Sequence, residues 1–158
     1  LAMSHASLEP AAVLDAVVRS FGPRFARAGL VPECRFEDVG TRVSGDDVRL
    51  RQLFSNIFEN NLKYTRSPGR LLIWTRKKNG KFEMGFEDSG PGVPRQSLDK
   101  IFDRLFRVDA SRNREKGGSG LGLSICRAIA RAHEGDIWAF ESKTGGLGIC
   151  LSLPLEDV

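Results

Sequence analysis

Long apolar runs are the first thing missing from this sequence. None reaches the 18 or so residues that would let a helix cross a bilayer. The opening residues also lack the basic-then-apolar pattern of a secretory signal. Cysteine is scarce: Cys34, Cys126 and Cys150 lie far apart, with no CxxC pair and no Cys/His metal spacing. That excludes a disulfide framework or zinc cluster and predicts reduced, structural thiols. No GxxxxGK precedes a serine or threonine, which excludes a Walker-type loop, and no GxGxxG follows a strand pattern. Internal repeats, low-complexity tracts and interdomain linkers are absent as well.

What is present suits one domain with a substantial core: 158 residues, 41% hydrophobic and 28% charged. Leu1 and the character of residues 1–9 suggest an excised piece of a longer chain, which leaves a transmembrane parent open. We therefore read 1–9 as residual linker and 10–158 as the domain. The net charge is +4, but the basic residues concentrate between Arg104 and Lys116 rather than along a face with interleaved aromatics. Local anion binding accounts for that better than a nucleic-acid footprint.

Apolar residues at Val13, Leu14, Val17, Val18, Phe21 and Phe25 predict a helix over 10–29. Pro10 is tolerated in its first turn, and Pro23 is expected to kink or divide it. Residues 34–44 suggest two short strands. Ser44 and Asp47 then resemble a capping box for a long helix over 46–65. Leu71–Thr75 and Phe82–Glu87 read as strands joined at Asn79-Gly80, the strongest short hairpin signal. Pro94–Phe102 reads as a short helix and 103–120 as a mobile, arginine- and glycine-rich lid. A helix over 121–133 and two strands, 136–141 and 147–153, turned by Thr144-Gly145-Gly146, complete the chain. This order predicts an α+β fold, a two-layer sandwich with helices on one face of a mixed, mostly antiparallel sheet.

Helix 46–65 does two jobs. Leu50, Leu53, Phe54, Ile57 and Tyr64 form an apolar stripe, and Asn56, Glu59, Asn60 and Lys63 form a polar stripe at i, i+3, i+4 and i+7 spacing. Alone, such a stripe is an ordinary solvated face. Two glycine-rich segments follow it, Asp88-Ser89-Gly90-Pro91-Gly92 and Gly117 to Leu123. A polar helix face opposed by two such loops points to a nucleotide site.

Four segments, in order and spacing, resemble the ATP-binding domain of two-component sensor histidine kinases, within the GHKL superfamily. Within that family the chain is similar to envelope-stress sensors of the BaeS type. They are the Asn box from Asn56 to Thr65, a first glycine box at Asp88–Gly92, a phenylalanine box from Ile101 to Arg107, and a second glycine box at Gly118–Gly122. Covering roughly 10–155, this resemblance implies the Bergerat fold with a flexible ATP lid, bound ATP and Mg²⁺, and phosphoryl transfer to a histidine on a separate dimerisation domain. A response regulator would receive the phosphoryl group next.

The resemblance also implies roles. Asn60 would ligate Mg²⁺, a hard cation that takes oxygen ligands. Lys63 would meet the phosphates, and Tyr64 would pack near the nucleotide. Asp88 would accept from the adenine amine, with Gly90 and Gly92 turning beneath the base. Gly118, Ser119, Gly120, Leu121 and Gly122 would bring backbone amides to the phosphates at a helix N-terminus. Arg104 and Arg107 would stabilise the γ-phosphate, while Arg112, Arg114 and Lys116 read as solvated lid charges. ATP-hydrolysing relatives carry a water-activating glutamate where this chain has Asn56, which favours phosphoryl transfer over hydrolysis.

Two positions depart from the family pattern. Asn61 replaces a small residue and falls near the apolar stripe, where its amide needs a partner. Leu105 stands where many relatives have phenylalanine. His5 lacks the context of a phosphoacceptor and reads as a tail residue. His133 reads as structural, its positive form suiting a helix C-terminus. Rival readings are a degenerate, binding-only module and a serine kinase of the anti-sigma type on the same fold. Without the usual dimerisation helices, a monomer is expected.

Overall fold

The computed structural model describes residues 1–104, 106 and 122–156. The elements are β1 (Ala6–Leu8), α1 (Pro10–Arg27), β2 (Leu30–Phe36), β3 (Val43–Gly45), α2 (Asp47–Tyr64), β4 (Gly69–Lys78) and β5 (Lys81–Asp88). They continue with a single 3₁₀ turn (Arg95–Ser97), α3 (Gly122–Ala132), β6 (Asp136–Glu141) and β7 (Leu147–Pro154). A five-stranded sheet in the order β2-β4-β5-β7-β6 carries the helices on one face, and β1 pairs with β3 in a small second sheet. The pairs β4–β5, β5–β7 and β6–β7 are antiparallel.

Pairing of β2 with β4 is parallel, from Leu30 opposite Gly69 to Phe36 opposite Thr75. One parallel pair among three antiparallel ones makes the sheet mixed and mostly antiparallel, as the order of elements predicts. Side-chain alternation marks which face is buried and is silent on strand direction. Asn79 and Gly80 both take positive φ, 53° and 76°, as a two-residue hairpin with a primed turn requires.

Helix α1 continues as one helix through Pro23, so of the two expected effects the proline does not divide it. Phe21 and Phe25 flank the proline and both pack on Phe58 of α2, with ring centroids 5.5 and 5.6 Å apart. Packing of this kind offsets the roughly 3 kcal/mol that an interior proline costs. Phe54 and Phe58 reach the sheet at Phe86, at 5.9 and 5.8 Å. Helix α2 is thus pinned by its apolar stripe between α1 and β5. Residues 94–102 form only the 3₁₀ turn and further turns. Leu98, Ile101 and Phe102 offer too little apolar surface for a full helix.

The N-cap of α2 is Asp46, not Ser44. Its carboxylate accepts from Arg49 N at 3.1 Å and from Ser4 N at 2.8 Å, and these amides hold it below the usual carboxylate range. His133 is buried; its Nε2 accepts from Asp46 N at 3.0 Å, and its Nδ1 lies 2.9 Å from Ile129 O. One ring nitrogen accepts, so the ring is neutral. Burial lowers its pKa, which corrects the expectation of a positive imidazole at the helix end. His5 packs against His133, with ring centroids 6.3 Å apart.

On the helix-free face, two glycines make room for rings. A Cβ at Gly85 would run into the Trp74 indole, and one at Gly148 into the Phe140 ring. Trp74 donates from Nε1 to Glu87 at 2.7 Å, and the Arg76 guanidinium sits 4.8 Å from its ring centroid. The three cysteines are free thiols, Cys126 and Cys150 buried and Cys34 exposed. Among the described residues no helix is long and apolar enough to cross a membrane.

Candidate nucleotide site

The site is assembled where the C-terminal half of α2 meets the end of β5. Strand β5 delivers Asp88 into a buried position, 6% exposed. Its Oδ1 accepts from Gly90 N at 2.9 Å and Leu147 N at 3.1 Å. Oδ2 makes no hydrogen bond among the described residues. Burial pushes the Asp88 carboxyl above the usual range, outweighing the pull of the two amides. The turn is tied to α2 by Arg66 N donating to Gly90 O at 2.9 Å. It is tied to β4 by Arg70 N donating to Ser89 Oγ at 2.9 Å.

The polar stripe of α2 faces away from the core. Asn56, Asn60, Lys63 and Tyr64 are all half-buried. Asn56 Nδ2 donates to Gly122 O at 3.3 Å, which brings the start of α3 against the middle of α2. Glu59 is turned to α1 instead, held by the two terminal guanidinium nitrogens of Arg24 at 2.6 and 3.0 Å. That pair keeps its carboxyl low, chiefly through the Arg24 hydrogen bonds. Asn61 is buried at 7% exposure, as its place on the helix predicts. Among the described residues, the enclosed side-chain polar atom without a partner is Thr65 Oγ1, one turn further on.

The structure joins Asn56 to Gly122 and Gly90 of the Asp88 turn to Arg66, just past α2; Asn60, Lys63 and Tyr64 lie on α2 between these two links, and Gly92 follows Gly90 in the turn. Arg104 is exposed at the edge of the described segment. Arg107, Gly118, Ser119, Gly120 and Leu121, with most of the lid over 103–120 and Leu105, lie outside the described residues. Gly90 and Gly92 take φ of 121° and 74°, the left-handed region that favours glycine. A Cβ at Gly92 would press on the Gly146 backbone at 3.0 Å, so the space is needed by a neighbouring loop of this chain.

That loop carries what the sequence pattern hid. A Cβ at Gly146 would collide with the Asp88 carboxylate and with Gly90 N. Leu147 N is one of the two amides on Asp88, and Thr144 Oγ1 donates to Asp88 O at 2.6 Å. Thr144-Gly145-Gly146 reads locally as a turn between strands. Its contact with Asp88 is long-range, and no local pattern encodes it.

Comparison with known proteins fits this geometry. The profile of the family described as "Histidine kinase-, DNA gyrase B-, and HSP90-like ATPase" matches residues 45–157. The chain belongs to this ATPase family. Within it, the chain corresponds to the ATP-binding catalytic domain of histidine kinases. It is 44% identical over 156 residues to the signal transduction histidine-protein kinase BaeS of Escherichia coli K12, covering 99% of this chain and 33% of that protein. It is 37% identical over 130 residues to the sensor kinase WalK of Staphylococcus haemolyticus, covering 81% of this chain and 21% of that protein. The chain thus spans about a third or less of the length of these relatives.

The fold of this ATPase domain matches the catalytic domain of histidine kinase ThkA at a TM-score of 0.84 and 24% identity, covering 99% of this chain and all of that one. It also matches ThkA in a complex with the response regulator protein TrrA, at a TM-score of 0.79 and 23% identity, covering 96% of this chain and 42% of that one.

Proposed function

We propose that this domain binds Mg²⁺–ATP between α2 and the Asp88 turn and presents the γ-phosphate to a histidine on a separate dimerisation domain of the same protein. The observation that carries the reading is the division of labour on Asp88. One carboxylate oxygen is committed to two backbone amides and the other is left for a ligand. A buried acceptor in that state selects a donor, and adenine offers its exocyclic amine where guanine offers a carbonyl.

The polar stripe of α2 supports the phosphate end. An amide oxygen and the phosphate oxygens are the cation ligands this reading offers. Asn60 would hold Mg²⁺, which suits a cation that keeps most of its waters. When bound, the ion neutralises charge on the phosphate oxygens. Lys63 supplies a positive charge to the same group, and Tyr64 packs near the nucleotide. The amides of Gly118, Ser119, Gly120, Leu121 and Gly122 approach the phosphates, while Arg104 and Arg107 stabilise the γ-phosphate.

Transfer is favoured over hydrolysis. Asn56 is no general base, and the carboxylate on the same stripe of α2, Glu59, is occupied by Arg24. The γ-phosphate therefore waits for an imidazole, which is its own nucleophile. A response regulator receives the phosphoryl group next; the likeness in fold to ThkA, solved in complex with the response regulator TrrA, supports a partner of that kind. The parent is anchored in a membrane with this domain in the cytoplasm, and the isolated domain is a monomer.

A calorimetric titration with a non-hydrolysable ATP analogue, with and without Mg²⁺, beside its guanine counterpart, tests the reading. Adenine-selective, magnesium-assisted binding is expected, and Asp88→Asn weakens it about a hundredfold, as loss of a charged hydrogen-bond partner predicts. Equal binding of both bases would sink the assignment of Asp88. Asn61 favours a second reading, a binding-only module. Absence of phosphoryl transfer to an added dimerisation domain, with binding intact, would select it.

A further inference from the structure

Asp88 is the last residue of β5, and the ladder with β7 stops one rung earlier, at Glu87 opposite Gly148. At the next rung a regular sheet would have Leu147 N donate to Asp88 O. Instead Leu147 N donates to the Asp88 side chain, Oδ1, at 3.1 Å. The vacated main-chain carbonyl is taken by the Thr144 hydroxyl at 2.6 Å. One hydroxyl thus substitutes for a ladder bond and releases an amide to hold the carboxylate.

Thr144 is itself held. Its N–H donates to Ser142 Oγ at 3.1 Å, and the two hydroxyl oxygens lie 2.6 Å apart. Asp88 O and the Glu87 carboxylate can only accept. Thr144 must therefore donate to the first, and Ser142 to Glu87 Oε1 at 3.0 Å; the Ser142 proton is also the one within reach of Thr144 Oγ1. Glu87 Oε2 accepts from the Trp74 indole at 2.7 Å, and that indole lies flat over Gly85. A continuous chain of hydrogen bonds joins the helix-free face of the sheet to the carboxylate proposed to read the base.

We propose that Thr144, braced by Ser142 and Glu87, is a positioning residue for base selection, holding Asp88 so that Oδ2 alone faces the ligand. This rests on the reading of Asp88 as the adenine contact. Without the Thr144 hydroxyl, Asp88 O competes with Oδ1 for the Leu147 amide. The carboxylate then loses one of its two anchors and rotates among several acceptor positions. Shape and charge of the pocket stay the same, but discrimination between a donor and an acceptor at C6 of the purine weakens.

The test compares calorimetric affinities for non-hydrolysable ATP and its hypoxanthine counterpart, which carries a carbonyl in place of the amine. Wild type, Asp88→Asn, Thr144→Val, Thr144→Ser and Ser142→Ala are measured, each with a thermal melt. Thr144→Val is expected to lower the adenine-to-hypoxanthine ratio about tenfold, the scale of one hydrogen bond. Thr144→Ser is expected to restore it, and Ser142→Ala to fall between. A purely structural threonine would weaken both ligands together and leave the ratio alone. An unchanged ratio in Thr144→Val, with Asp88→Asn still losing selectivity, overturns the relay and spares the Asp88 reading. Lack of selectivity in wild type, or its survival in Asp88→Asn, overturns both. Should Thr144→Val fail to fold, Ser142→Ala and Trp74→Phe break the same chain from its far end, and an unchanged ratio in both is equally fatal.

Discussion

The Asp88 end and the α2 end of the site are built on opposite principles. Asp88 is fixed by backbone amides, a borrowed hydroxyl and glycine-tight contact with a loop more than fifty residues away in sequence. The polar stripe of α2 is a row of side chains set out along one helix, with Asn56 held to Gly122 and Glu59 to Arg24. The first end is intolerant of small changes in backbone and offers one chemical answer. The second presents charge and amides to a flexible, highly charged group, where position matters less than presence.

A glycine substitution at the Asp88 end should show the strongest contrast. Gly146→Ala should cost about 2–3 kcal/mol of stability, because its Cβ meets the Asp88 carboxylate and backbone with nowhere to move. Chemical denaturation would measure it, and a neutral outcome would mean the loop is looser than its contacts indicate.

Next in size is the effect of pH. Burial raises the folded pKa of Asp88, so its ionisation disfavours folding. The group's contribution to stability is fully present below the ordinary aspartate value and is lost as pH rises through the raised folded value. Nucleotide affinity should run the other way, falling as acid protonates the acceptor. Titrations of melting temperature and of analogue affinity over the same pH range should cross, and Asp88→Asn should flatten both.

The α2 end should answer more mildly. At Gly122, the start of α3, an added Cβ would meet nothing within 4 Å. Gly122→Ala should leave stability unchanged or raise it by up to about 1 kcal/mol, and a loss as large as that of Gly146→Ala would erase the contrast between the two ends. Smallest of all is Arg24→Ala. It frees an exposed Glu59 from an exposed pair and should shift nucleotide affinity by less than about twofold; a marked gain in ATP hydrolysis would instead show that Glu59 can act as a base.

Much of the frame was legible in the residues. The double stripe of α2 and the Asn79-Gly80 hairpin follow from local periodicity and turn chemistry, which the chain states outright. The α+β class followed from the order of elements. The cap at Asp46 was missed because Ser44 and Asp46 are both good cap residues, and only the contact with Ser4 and His133 decides between them. The parallel β2 and the unbroken α1 depend on neighbours, Thr75 across the sheet and Phe58 across the helix pair. The Asp88 turn was legible as a glycine box, whereas its partner loop was not. Thr144, Gly146 and Leu147 acquire meaning only when two distant strands lie side by side.

The flat indole has a consequence of its own. The chain contains two tryptophans, and they stand at opposite ends of an optical scale. Trp138 is 39% exposed, while Trp74 is half-buried, hydrogen-bonded to a carboxylate and capped by a guanidinium. A Trp138→Phe protein would therefore emit from a single fluorophore wired to the Asp88 turn through Glu87, Ser142 and Thr144. The domain carries its own lamp beside the contact that reads the base.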